Sequence, residues 1–237
     1  YTEGRFKTFP KPGNYAPFRF LFGSCNLHSL GLFERPDKAW VRISQLARDN
    51  NANFMLHCGD QVYADIPFSP PIDIDHYRRK YLDAWDDCVP ARRTLTELPH
   101  YMILDDHEIT NNFDRQMEGQ GRDIDALSRV AMKAYWEFQH SHNPNTGGGA
   151  FEYHYRFECG DASFFVMDTR YHRNASIGRM LDENQENDLL NWISQNPKKL
   201  KFIVSSVPFV GHVIRDDQDK WCSTNFNQQR ARILKKI

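Results

Sequence analysis

An α/β layered fold is what this 237-residue sequence predicts, on two observations. Short apolar runs alternate with segments whose apolar residues recur at helical spacing. Four of those runs also stop abruptly at clusters of Asp, Glu, His, Cys, Asn, Tyr or Arg. Ligands of open α/β sheets bind beyond the carboxyl ends of strands, so clusters at that position point to one shared crevice.

Phe18 to Phe22, broken by Arg19, predicts the first strand, and Gly23-Ser24-Cys25-Asn26 the turn that ends it. Pro36 to Asn50 carries Trp40, Ile43, Leu46 and Ala47 at helical spacing. Phe54 to Leu56 is a second strand closed by His57-Cys58-Gly59-Asp60; after Pro70-Pro71, Tyr77, Tyr81 and Trp85 mark a helix. Tyr101 to Leu104 runs into Asp105-Asp106-His107-Glu108 and then Asn111-Asn112. Ile124 to His140 predicts an amphipathic helix, after which Gly147-Gly148-Gly149 breaks the pattern. Glu152 to Phe157 and Ser163 to Met167 flank Cys159-Gly160-Asp161 as a hairpin, with Gly160 supplying the turn conformation. That second strand ends at Asp168-Thr169-Arg170. Asp182 predicts a helix N-cap with Gln185 at capping-box spacing, ahead of Leu189, Leu190, Trp192 and Ile193. Phe202 to Val204 runs into Ser205-Ser206-Val207-Pro208, and Gln228 to Ile237 reads as a basic helix.

Composition excludes several classes. Hydrophobic residues at 40% and charged residues at 26% rule out disordered and fibrous chains. A net charge of −1 gives no field for nucleic acid or an anionic membrane, so any anion specificity must be local. No run approaches the roughly 18 apolar residues of a membrane span. The chain opens on Tyr1 without a basic, apolar leader, which leaves its compartment open. Cys25, Cys58, Cys88, Cys159 and Cys222 are scattered without a CxxC pair, so neither a disulfide framework nor a zinc knuckle is indicated.

Each polar cluster has a bland reading beside the chemical one. Gly59-Asp60 alone is an ordinary turn, but Tyr63 and Asp65 follow closely; a bridging carboxylate suits hard cations, and a phenolate favours a ferric centre. Asp105, Asp106 and Glu108 could cap a helix, yet three acids and a His together repel unless a cation or hydrogen bonds compensate them. Cys25 is either a small buried hydrophobe or a ligand. Asp168-x-Arg170 is either an ion pair at a sheet edge or an Arg that forks onto phosphate with Asp168 holding it. Ser205-Ser206 lacks a GxSxG frame and a base, which argues against a serine hydrolase. His57, His76, His140, His154 and His172 read as structural or surface residues, and His212, after Gly211, as a loop residue with a ligand role open.

Together the segments GSCN (23–26), HCGDQVYAD (57–65), DDHEITNN (105–112), MDTR (167–170) and SSVPF (205–209) resemble the ordered motifs of PhoD-like phosphatases, a branch of the metallophosphatases. The resemblance implies a sandwich of two mixed β-sheets flanked by helices, with a dinuclear or trinuclear metal centre at the strand ends. It implies Cys25, Asp60, Tyr63 and Asp106 as metal ligands, with Asp60 bridging and Tyr63 bound to iron. His107 falls where a residue near the leaving group belongs, and Arg170 is a further catalytic candidate. The implied cofactors are Fe3+ with Ca2+ or another divalent cation, and the implied substrate is a small-molecule or polymeric phosphoester. Family members are often exported.

Two departures set further expectations. No Gly-Asp-x-His-type motif follows Ser206, so the catalytic core, residues 15–237, is expected to be truncated at Ile237. Residues 1–14 are expected to be the end of a preceding β-domain or a linker. The expected function is metal-dependent phosphate mono- or diester hydrolysis by activated water. The alternatives are a non-catalytic interaction module on the same fold, and a metal hydrolase of another ester.

Overall fold

The computed structural model describes residues 8–11, 13, 15–28, 38–114, 117, 123–144, 151–211 and 219–237. Strands β1 (Phe20–Gly23), β2 (Phe54–Cys58) and β3 (His100–Ile103) pair in that order, with Phe20 beside Phe54 and Met55 beside His100. All three are parallel because each connection crosses over through helices: α1 (Lys38–Asp49), then α2 (Ile74–Tyr81) and α3 (Val89–Glu97). Strands β4 (Tyr155–Cys159) and β5 (Ala162–Val166) form the predicted hairpin with Gly160 at φ 57°, and β6 (Leu200–Val204) joins β5 in parallel. Among the described residues, therefore, only this second sheet is mixed.

Period-two alternation puts the two sheets face to face through aromatic rings. Phe20 stacks on Phe54 at 5.1 Å and meets Phe164 edge-on at 5.5 Å, while Phe164 stacks on Phe202 at 4.6 Å. Such pairs contribute roughly 0.5–1.5 kcal/mol each beyond buried area, enough to hold the sheet stacking in register. Residues pointing the other way meet helices. Trp40 of α1 packs with Cys88 and Ala91 and stacks on His57 of β2. Phe165 and Met167 pack with Trp192 of α5 (Glu183–Ser194), Trp221 and Ile233 of α6 (Asn227–Leu234). Helix α4 (Ile124–Phe138) buries Leu127, Ala131 and Tyr135 in the core between the sheets.

Two features differ from the sequence reading. Periodicity does not reveal α3, because it buries only Ala91 and Thr94. Asp182 caps α5 at 2.8 Å from the Gln185 N–H, but Gln185 does not close a capping box. Its side chain instead brackets Asp168, accepting from the Asp168 N–H at 2.8 Å and donating to the Asp168 carbonyl at 2.9 Å. In segment 1–14, Phe9 packs on Phe54 at 5.2 Å and the Gly160 N–H donates to the Pro10 carbonyl, so the described part of it lies against the core. Pro36, Gly147 to Gly149 and His212 lie outside the described residues.

Candidate metal centre

The turns after β1, β2 and β3 are bonded to one another. Cys25 N–H donates to the Gly59 carbonyl at 3.2 Å, Asn26 N–H to the Asp60 carbonyl at 2.7 Å, and Ala64 N–H to the His107 carbonyl at 3.0 Å. Asn26 supports this frame from the side, donating to the Gln61 carbonyl and accepting from the Trp40 indole at 3.0 Å. Cys25 and Asp60 both have left-handed backbone, φ 61° and 55°. That region costs a non-glycine residue about 1–2 kcal/mol, so the surrounding bonds must hold it.

These turns bring five of the six predicted site residues together. Asp60, Asp106 and His107 each offer a ligand atom within 4.8 Å of the others. The Cys25 thiol and the Tyr63 hydroxyl both lie 3.4 Å from Asp60 Oδ2. The Tyr63 ring leans on the His107 imidazole with centroids 4.2 Å apart. Burial, and then the Asp106 charge, raise the Asp60 carboxyl above the ordinary carboxylate range. Burial also raises the Cys25 thiol and the Tyr63 hydroxyl. Buried carboxylates facing each other beside an imidazole, a thiol and a phenol form a donor set whose charge a cation would compensate. The residues present fit a metal.

Asp65 uses both carboxylate oxygens on the turn after β3. Its Oδ1 lies 2.7 Å from His107 Nδ1, and its Oδ2 accepts the Asn111 N–H at 2.6 Å. Burial opposes a charge on His107, but the bond to Asp65 and the charges of Asp106, Asp65 and Asp60 carry it up to about 9.

Arg170 departs furthest from expectation. The side chain is fully buried, with Nε donating to Asp105 Oδ1 at 2.7 Å, Nη2 at 2.6 Å from the same oxygen, and Nη1 donating to Asp219 Oδ1 at 2.7 Å. A guanidinium so occupied has no free fork for a phosphate. Nor does Asp168 pair with it: Asp168 Oδ1 accepts the backbone N–H groups of Arg170 and Tyr171, both at 2.9 Å. Burial raises the Asp105 carboxyl to about 7 despite Arg170, because Asp106 and Asp60 add repulsion. Ser206 and Thr169 share a 2.6 Å hydroxyl contact and Ser205 donates to the Val207 carbonyl, so neither serine resembles a nucleophile.

The family model described as PhoD-like phosphatase matches residues 20–237. The chain belongs to the PhoD-like phosphatase family. Alkaline phosphatase D of Bacillus subtilis (strain 168) is 23% identical over 250 residues, which cover 96% of this chain and 38% of that protein. A solved structure of PhoD matches 98% of this chain and 51% of its own with a TM-score of 0.77 and 20% identity. A purple acid phosphatase, PPD1, from yellow lupin (Lupinus luteus) seeds matches 81% of this chain and 30% of its own at a TM-score of 0.51 and 15% identity. The fold is thus metallophosphatase-like, and the chain spans about half or less of the relatives it matches.

Sequence reasoning missed the partners of the predicted residues. Asp65 as the His107 partner, Asp219 as the second acid on Arg170, and Glu108 as an internal acceptor have no spacing signal of their own.

Proposed function

We propose that this chain carries the strand-end part of a metal-dependent phosphoesterase site that hydrolyses phosphate mono- or diesters. The observation that carries the reading is the convergence of Asp60, Asp106 and His107 within 4.8 Å, with Cys25 and Tyr63 on the same Asp60 oxygen, in a PhoD-like chain.

Cys25, Asp60, Tyr63 and Asp106 would hold the cations. A phenolate and a thiolate favour a ferric ion, and the carboxylates suit Ca2+ or another divalent ion. Bound there, the metals would acidify a water and neutralise phosphoryl charge. Asp65 fixes the His107 ring through Nδ1, leaving Nε2 to move a proton toward the leaving oxygen. Arg170 touches no substrate in this scheme; it positions Asp105 beside Asp106.

The test is elemental analysis of protein purified without chelator, with bis-p-nitrophenyl phosphate turnover on the same sample. Bound iron with turnover supports the reading. Absence of both overturns it and favours an interaction module on the same fold.

A further inference from the structure

We infer that Glu108 is a positioning residue: its buried carboxylate gathers the backbone N–H groups of the two ligand-bearing turns and sets Asp60 against Asp106. The inference rests on the metal-site reading above. Glu108 is fully buried, and its Oε2 accepts from the N–H groups of Asp60 at 3.1 Å and Asp105 at 2.9 Å. Its Oε1 accepts from the Gln61 N–H at 2.6 Å and from the Gln139 amide at 3.1 Å. All four partners are donors, and two donors on each oxygen leave the carboxylate little capacity to ligate a metal itself.

The turn after β2 explains why such an acceptor is needed. Gly59 and Asp60 adopt successive positive φ values of 88° and 55°, which aim the following N–H groups at one point. A concavity of this kind binds an anion, and here the anion is a side chain from the turn after β3. One oxygen therefore holds both turns, since Asp60 N and Asp105 N share Oε2 across 45 residues of chain. Gln139, just past α4, donates to Glu108 and to the Tyr81 hydroxyl at 3.0 Å, so α2 and α4 brace the carboxylate from behind. Without it, the buried N–H groups of Asp60, Gln61 and Asp105 lose their acceptor, and Asp60 is held to the turn after β3 only by the weaker 3.4 Å bond from the His107 N–H to Asp60 Oδ1 and by the more distant Ala64 and Asp65 bonds to His107.

The test uses Mn2+ titrated into metal-free protein and calorimetry of Glu108→Gln. This substitution keeps the shape and places an amide donor where an oxygen faced N–H groups. Loss of an outer-shell partner weakens metal binding about 10–100-fold. The expected result is a folded variant with Mn2+ affinity reduced by at least about tenfold, and an unchanged KM for bis-p-nitrophenyl phosphate at saturating metal. A folded variant with lowered thermal stability but wild-type Mn2+ affinity would overturn the inference. If the variant does not fold, hydrogen exchange on metal-free wild-type protein decides. Protected amides at Asp60, Gln61 and Asp105 support the role, and exchange at open-loop rates overturns it. Wild-type protein that takes up no metal removes the metal reading, which is a different failure.

Discussion

Asp65 Oδ1 and His107 Nδ1 lie 2.7 Å apart and join the turn after β2 to the turn after β3. The other Asp65 oxygen accepts the Asn111 N–H, so the carboxylate is itself fixed and the imidazole has one orientation. Asp65→Asn should leave metal content unchanged while turnover of bis-p-nitrophenyl phosphate falls about 10²-fold, the low end of what a positioned acid contributes. An unchanged rate would strip His107 of a proton-transfer role.

Arg170 should contribute stability rather than phosphate binding. Replacing it with Met leaves Asp105 and Asp106 without their buried cation, though Asp219 keeps Arg173 at 2.6 Å. Breaking a buried pair by removing one partner costs about 3–5 kcal/mol, which urea unfolding of Arg170→Met would read directly. A loss below about 1 kcal/mol would mean that the buried network is nearly neutral.

The strand ends were legible because each cluster follows its apolar run directly: Cys25 after Phe22, Asp60 after Leu56, Asp106 after Leu104. What the sequence does not separate is adjacent acids with opposite duties. Asp105 pairs with Arg170, Asp106 joins the candidate centre, and Glu108 binds backbone N–H groups, all within four residues. Only tertiary contacts distinguish them, and those contacts come from chain as distant as Asp219. Helix α3 was hidden for a related reason, since its buried face is an Ala and a Thr.

Gly59 is required twice over. Its φ of 88° favours glycine, and a Cβ there would stand 2.5 Å from Asp105 Cβ and 3.0 Å from Ser206 Cβ. Both neighbours are held by their own backbone, so Asp105 must move and carry Asp106 with it. Gly59→Ala should lower stability by about 2–3 kcal/mol and reduce metal uptake. Gly23→Ala, where a Cβ meets only Met55 Cε at 3.4 Å, is the matched control and should be far milder. Equal effects at the two positions would reject the argument.

Acid sensitivity should trace to His57 and His100. His57 Nδ1 lies 2.6 Å from Gln61 Oε1, His57 Nε2 lies 2.7 Å from His100 Nδ1, and His100 Nε2 lies 3.2 Å from the Thr94 carbonyl. Burial pushes His57 down to about 3, helped by His100, and His100 down to about 4. Two neutral rings supply two protons for three contacts, and the two shortest should take them, giving Nδ1–H on both rings. Above about pH 6.5 the rings are neutral in folded and unfolded chains alike, so stability is full. As pH falls toward 4 the unfolded chain gains protons that the folded one refuses, and stability drops by up to about 1.4 kcal/mol per pH unit for each ring. Urea midpoints at pH 7, 6 and 5 should therefore fall more steeply for wild type than for His100→Gln, which removes one of the two titrations. Parallel slopes, or a 15N signature of an imidazolium at pH 7, would show that the rings share a third proton and that burial does not decide their charge.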